Sequence, residues 1–278
     1  MAASPSECVC CGARRWSEYA RAGGYELVRC DACGFVRVVL PTDVDVTTLY
    51  DEDYFWGRAC DSGPLIPEAR SPNPAYVARR RYWLDVLARQ TGGAGRLLDV
   101  GCGAGALLDV ARDEGWDAHG QDIAAPGVAE ARARGHRVCL GPLRECGLEA
   151  ESFDAATMIE VIEHLVDPRE LLAEVRRVLR PGGALLVATG DVGSLRARLR
   201  KSRWSYVRPP RHVSYFTGDA LERALRSAGF ASVTPVATYN LAHPSFPVLG
   251  APRARRLVRV ARLVRRATRM EQNVLALA

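Results

Sequence analysis

The chain has 278 residues, 48% of them hydrophobic and 25% charged, enough for one α/β domain of ordinary size with a small appendage. No apolar run approaches the roughly 20 residues of a membrane span, and Met1 to Glu7 lacks the basic and apolar regions of a signal peptide, so a cytoplasmic protein is expected. The net charge of +6 is uneven: residues 251–278 hold eight arginines and one acid, which leaves about −1 for residues 1–250 and no global basic field to steer a polyanion.

Nine cysteines in such a chain argue for metal rather than disulfides. Cys8-Val9-Cys10-Cys11-Gly12 and Cys30-Asp31-Ala32-Cys33-Gly34 form two C-x2-C-G knuckles, eighteen residues apart. A two-residue spacer lets both thiolates of a knuckle reach one ion, and the glycine permits the left-handed turn that aims backbone N–H groups at sulfur. With Tyr25 to Arg29 and Phe35 to Leu40 alternating as short strands, residues 1–40 read as a ribbon holding a structural Zn²⁺ on Cys8, Cys11, Cys30 and Cys33. Cys10 falls outside the spacing and reads as a spare thiol.

Residues 41–75 form a connector rich in Asp, Pro and aromatics, centred on Tyr50, Tyr54, Phe55 and Trp56. So many rings are too costly to leave in water; they pack on the main domain as a lid or staple the ribbon down. Tyr76 to Gln90 is predicted as a helix stopped by Gly92 and Gly93.

From residue 96 onward, strand and helix alternate, the signature of a Rossmann-like doubly wound α/β sheet. Leu97-Leu98-Asp99-Val100-Gly101-Cys102-Gly103-Ala104-Gly105 reads as strand, tight loop and helix start, the following helix presenting its free N–H groups to a nucleotide-sized slot. Asp122, seventeen residues beyond Gly105, stands at the tip of the second strand, placed either to accept from a ribose diol or to cap the next helix. Gly127 to Gly135 is helix, Arg137 to Leu140 the third strand and Phe153 to Ile159 the fourth. The fourth strand delivers Glu160-Val161-Ile162-Glu163-His164-Leu165 to the same crevice. Arg169 to Leu179 is helix, and Ala184 to Thr189 the fifth strand.

These residues, taken together, resemble the class I S-adenosylmethionine-dependent methyltransferases. The matching stretches are Asp99 to Gly105, Asp122, Ser152-Phe153-Asp154, Glu160 to Leu165 and Arg176 to Gly183, in family order and at family distances. The resemblance implies that Asp99, Gly101 and Gly103 hold the methionine end and ribose of S-adenosyl-L-methionine and that Asp122 takes the ribose hydroxyls. Cys102, Ile123 and Glu160 complete that pocket. Adenine in the family is held after the third strand, where this chain has Gly141-Pro142-Leu143 and no polar side chain. One subgroup also has the cysteine pair, the Tyr-x-x-x-Tyr-Phe connector and a Pro-Pro-x-His-x-x-x-Phe segment, here Pro209 to Phe216.

Methyl transfer asks the protein to align an acceptor and, for a hydroxyl, to remove its proton. His164 and His212 are the candidate bases, with Glu163 beside them. If 160–164 is helical, Glu160, Glu163 and His164 share one face, and with His212 they make a set of two oxygens and two nitrogens suited to Mg²⁺. The competing reading has the same groups satisfying one another by hydrogen bonds.

Ser194 to Arg208 carries six basic residues with Trp204 and Tyr206, and reads as a solvated basic loop sooner than as a clasp for a phosphate or sugar nucleotide. Asp219 to Gly229 is helix. Ala231 to Tyr239 and Asn273 to Ala278 are the last strands, expected antiparallel, flanking a basic amphipathic helix at about 252–270. The methyltransferase domain thus runs over 76–278. The expected function is O-methylation of a small hydroxylated acceptor, a sugar or secondary metabolite. The alternatives are an RNA methyltransferase, disfavoured by the near-neutral body, and a non-catalytic scaffold, disfavoured by the intact glycine loop.

Overall fold

A computed structural model of the chain describes residues 6–41, 46–55, 69–70, 73–236 and 271–278. The basic helix expected at 252–270, residues 237–239 of the strand expected before it, and much of the 41–75 connector lie outside the described residues.

Two sheets organise what is described. The larger has seven strands in the order β10-β11-β8-β7-β4-β5-β6. Its members are β4 (Arg96–Val100), β5 (Asp117–Asp122), β6 (Arg137–Leu140), β7 (Phe153–Ile159), β8 (Leu179–Gly190), β10 (Ser232–Val236) and β11 (Glu271–Leu277). Strands β4 to β8 pair in parallel. Such strands are covered on both faces and read as apolar runs. Leu98, Val100, Met158, Leu185 and Val187 face one core, and Leu97, Ala155, Ala184 and Leu186 the other. Each fully buried leucine contributes roughly 1.5–3 kcal/mol.

Helix α2 (Pro74–Thr91) covers the second face through Tyr82, Trp83, Leu84 and Leu87. Asn73 caps it by accepting from Ala75 N, and Gly92 closes it in the left-handed conformation. Helices α3 (Ala106–Asp113), α4 (Ala125–Ala133), α5 (Arg169–Val178) and α7 (Gly218–Ser227) complete the layers around the sheet. The short α1 (Glu52–Phe55) and α6 (Leu195–Arg200) flank the crevice described below.

The second sheet has the order β1-β2-β3-β9, with β1 (Trp16–Ala22), β2 (Tyr25–Cys30), β3 (Val36–Val39) and β9 (Ser214–Tyr215), all antiparallel. Three strands belong to the cysteine ribbon, and the fourth comes from the segment just after His212. Val36 and Arg37 pair with Tyr215 and Ser214, Val38 N donates to Val213 O at 2.9 Å, and Thr217 Oγ1 donates to Cys33 O at 2.8 Å. Leu27, Val36, Val38, Trp204 and Tyr215 pack as their shared core.

Several expectations change. β1 was not foreseen, because Trp16 to Ala22 mixes charged and apolar residues on a strand whose side chains are half-buried or exposed. β8 starts five residues early: Leu179 already pairs with Phe153, and the Gly182-Gly183 turn is a register shift inside the strand rather than a loop before it. Only β11 opposes the parallel core. β10 pairs antiparallel with β11, so it runs in the direction of β8.

Candidate functional site

The glycine loop closes against β5. Gly101 N and Cys102 N both donate to Gln121 O, at 2.7 and 3.0 Å, and Gly103 N donates to Asp122 Oδ2 at 2.8 Å. These three loop N–H groups are thus bonded within the protein. Gly101 has φ +69°, and a Cβ there would lie 2.3 Å from Val161, so no other residue fits. The Cys102 thiol is buried with Leu108 and Val138, where desolvation pushes its pKa up, so its side chain belongs to the core.

Asp99 and Asp122 line the loop from below and from the side. Asp99 is buried and accepts from Thr157 Oγ1 at 2.7 Å; burial pushes its pKa up to about 7, against the Thr157 hydrogen bond and the Arg80 charge. Asp122 Oδ1 accepts at 2.9 Å from the backbone N–H of Ala124, the residue that precedes α4, without capping the helix itself, while Oδ2 holds the glycine loop. Burial raises its pKa as well. Backbone N–H groups of Ala124, Gly103 and Ile123 oppose that rise by bonding the carboxylate. Ile123 and Leu140, the residue in register with Asp122, are each 45% exposed and leave apolar walls beside the carboxylate.

The connector covers this slot. Phe55 is buried against Ala104 and Ala124, and a Cβ on Gly127 would lie 2.5 Å from its ring. Five residues earlier, the Tyr50 hydroxyl meets His164 Nδ1 at 2.7 Å, with the two rings edge to face. Tyr50 and Phe55, in the described part of the connector, thus pack on the main domain.

At the mouth of the crevice, His164, His212 and Glu163 converge, their ligand-capable atoms all within 4.8 Å of one another. Glu160 is not in that group. It adopts φ +55°, and only Ile162–His164 forms a 3-10 turn, so the one-face helical arrangement of Glu160, Glu163 and His164 does not form. A strand end that hands its chain to a 3-10 turn breaks the 3.6-residue period. Glu163 is fully buried, accepting from Thr189 Oγ1 at 2.8 Å and, through Oε1, from the Tyr206 hydroxyl. Tyr206 also reaches Glu160 Oε2 at 3.1 Å, so two carboxylates share one phenolic hydrogen. Burial beside these acids drives the Tyr206 pKa well above its usual value.

The histidine tautomers follow from their partners. His212 Nδ1 lies 2.8 Å from Tyr206 O, a carbonyl that can only accept, which assigns the proton to Nδ1 and the lone pair to Nε2. Burial, helped by neighbouring His164, lowers the His212 pKa to about 4, keeping it neutral. His164 Nδ1 likewise faces Arg211 O at 3.1 Å. The two imidazoles meet edge to face at 4.8 Å.

Ser194 to Arg208 divides its residues. Arg198, Arg200, Lys201 and Arg203 point to solvent as expected, whereas Trp204 is buried and Tyr206 turns into the site. A Trp-x-Tyr pair inside a basic run was the signal; it marks an inward-facing loop wall.

In the ribbon, Cys8 and Cys33 sulfurs are 3.6 Å apart and Cys11 and Cys30 sulfurs 3.7 Å. Tetrahedral Zn–S bonds of about 2.3 Å would set sulfurs roughly 3.8 Å apart, so the four thiols fit the ion. Gly12 and Gly34 take the left-handed turns. Cys10 is buried and stands outside the group of four, in keeping with its reading as a spare thiol. The general preference for metal over disulfides is corrected in one place, where Cys139 and Cys146 are bonded.

A sequence profile described as "Methyltransferase domain" matches residues 76–234, more than half of the chain. The chain belongs to the class I S-adenosylmethionine-dependent methyltransferases. A probable S-adenosylmethionine-dependent methyltransferase of Mycolicibacterium smegmatis is 34% identical over 175 residues, 60% of this chain and 65% of that protein. A ubiquinone biosynthesis O-methyltransferase of Hahella chejuensis is 36% identical over 103 residues, 34% of this chain and 42% of that one. This methyltransferase chain therefore spans less than two thirds of the curated relatives it matches. In fold it is similar to a SAM-dependent methyltransferase from Archaeoglobus fulgidus, with a TM-score of 0.56 at 19% identity, covering 84% of this chain and 100% of that one. No helix among the described residues is long and apolar enough to cross a membrane.

Proposed function

We propose that the chain transfers a methyl group from S-adenosyl-L-methionine to a hydroxyl of a small acceptor, a sugar or natural-product intermediate. The observation that carries this reading is the neutral, lone-pair-bearing His212 Nε2 clustered with His164 and Glu163 beside the glycine loop. O-methyltransferases among the relatives support it.

When bound, the cofactor supplies a methyl group activated by a sulfonium. Asp122 would accept from the ribose hydroxyls, Ile123 and Leu140 would flank the adenine, and Asp99 would hold the ammonium of the methionine end. His212 Nε2 takes the acceptor hydroxyl proton, and buried Glu163 steadies the imidazolium that results. Tyr50 and Phe55 exclude water from the slot. The four ribbon cysteines hold a structural Zn²⁺, and through β9 that ribbon fixes the segment carrying His212.

A second reading uses the same group. Glu163, His164 and His212 offer one carboxylate and two imidazoles, and the crowding of Glu160 and Glu163 on one hydrogen favours a cation there. Two imidazoles suit Mn²⁺, Fe²⁺ or Zn²⁺ better than the Mg²⁺ expected from sequence.

Labelled methyl transfer to a panel of hydroxylated acceptors tests both. His212→Gln should abolish transfer while S-adenosylhomocysteine still binds. Transfer only to nitrogen or carbon acceptors contradicts the hydroxyl reading. Activity unchanged by EDTA with zinc retained removes the second metal.

A further inference from the structure

Among the described residues one cysteine pair is bonded, and it lies beside the cofactor slot. Cys139, on β6, is in register with Gln121, and the next residue, Leu140, with Asp122. The chain then runs through Gly141, Pro142 and a 3-10 turn, Leu143–Glu145, to Cys146, whose Cα is 5.8 Å from that of Cys139. This separation is the usual span of a disulfide. Two hydrogen bonds tie the enclosed loop to the end of β5: Gly141 N donates to Asp122 O at 2.9 Å, and Gln121 Nε2 donates to Gly141 O at 2.7 Å. Leu143 anchors the loop in the core.

Both cysteines are half-buried, within reach of a small thiol, unlike buried Cys102. A bridge enclosing so few residues constrains little of the unfolded chain, so its consequence is local. What it constrains is the loop that continues from Leu140 and is tied to the end of β5 at Gln121 and the Asp122 backbone carbonyl.

We propose that Cys139 and Cys146 form a reversible thiol-oxidation site whose state sets the affinity for the adenosine end of the cofactor. This rests on the reading of Asp122 as the ribose ligand. A small disulfide is the oxidant. One cysteine thiolate attacks a sulfur of that disulfide and expels one small thiolate; the second cysteine thiolate then attacks the protein sulfur of the mixed disulfide and expels the other. Two protein thiols lose two electrons and two protons, and one small disulfide becomes two small thiols. In the bridged state the loop is already ordered against Gln121 and Asp122, so less ordering remains for binding. In the reduced state that ordering falls to the binding event.

The experiment uses the zinc-loaded full chain equilibrated in glutathione buffers of graded ratio. Alkylation with intact mass reports the sulfurs, and calorimetry reports S-adenosylhomocysteine affinity. The expected result is binding about three- to tenfold tighter in the bridged form, with the redox dependence lost in Cys139→Ser/Cys146→Ser at unchanged zinc content. Thiols that stay free at every ratio, equal affinity in both states, or a redox dependence that survives in the double variant each overturn the inference. Binding absent from every form overturns the cofactor reading, and this inference with it, whereas equal binding leaves that reading standing.

Discussion

The Tyr50 hydroxyl lies 2.7 Å from Nδ1 of His164, joining the aromatic connector to the far side of the crevice. Phe55, on the same short segment, packs against Gly127 at the cofactor loop. One stretch of chain thus touches both halves of the site. Tyr50→Phe should keep the fold and S-adenosylhomocysteine affinity within about threefold, since a single hydrogen bond contributes roughly 1 kcal/mol. It should shift the His164 ring-nitrogen resonances in a ¹⁵N spectrum and leave those of His136 in place. Unchanged His164 resonances would show that the contact does not orient the ring.

Phe55→Ala removes the ring that covers the loop. Cofactor-analogue affinity should fall by about tenfold or more, while the melting temperature falls less than for a core Phe→Ala change, which costs about 3–5 kcal/mol. Gly127→Ala should reproduce part of the binding loss, because its methyl group would displace the same ring. Wild-type affinity in both variants would mean that the connector is only a staple.

Asp99 should make cofactor binding depend on pH. Its folded pKa, raised by burial to about 7 from 3.8, means that the folded protein holds a proton that the unfolded chain has lost between those values. The sign follows: its contribution to stability is present below pH 3.8 and is lost as pH rises through about 7. A cofactor ammonium docked beside it would expel that proton. Calorimetry at pH 6 in buffers of different ionisation enthalpy should show close to one proton released on binding, none at pH 8.5, and none for Asp99→Asn. Equal proton release in the variant would place the linked group elsewhere.

Metal removal should reach the site through the small sheet. Cys30→Ser, or zinc-stripped protein, should lose close to one zinc per chain and several degrees of melting temperature. It should also alter the His212 resonances, because β3 pairs with β9 two residues beyond His212. Ribbon loss that leaves the His212 signals untouched would mean that β9 holds its place unaided.

The glycine loop and the succession of parallel strands were legible because each is a local consequence of residue type: apolar runs for buried strands, and glycines where backbone meets backbone. The clustering of Cys8, Cys11, Cys30 and Cys33 was legible for the same reason, from the spacing of the two knuckles. Glu160 was misplaced because periodicity cannot reveal the residue at which a strand leaves its sheet in the left-handed conformation. Tyr206, β9 and the Tyr50–His164 contact depend on residues that are distant in sequence meeting in space. No spacing rule encodes that. The Cys139–Cys146 bond was hidden by the stronger metal pattern of the other cysteines.

The most direct test of the central claim is calorimetric titration of the zinc-loaded protein with S-adenosyl-L-methionine, beside Asp122→Ala. The account predicts micromolar binding, about −8 kcal/mol, that is lost in the variant while zinc content and melting cooperativity are kept. No binding by the wild-type protein, or equal binding by the variant, would contradict it.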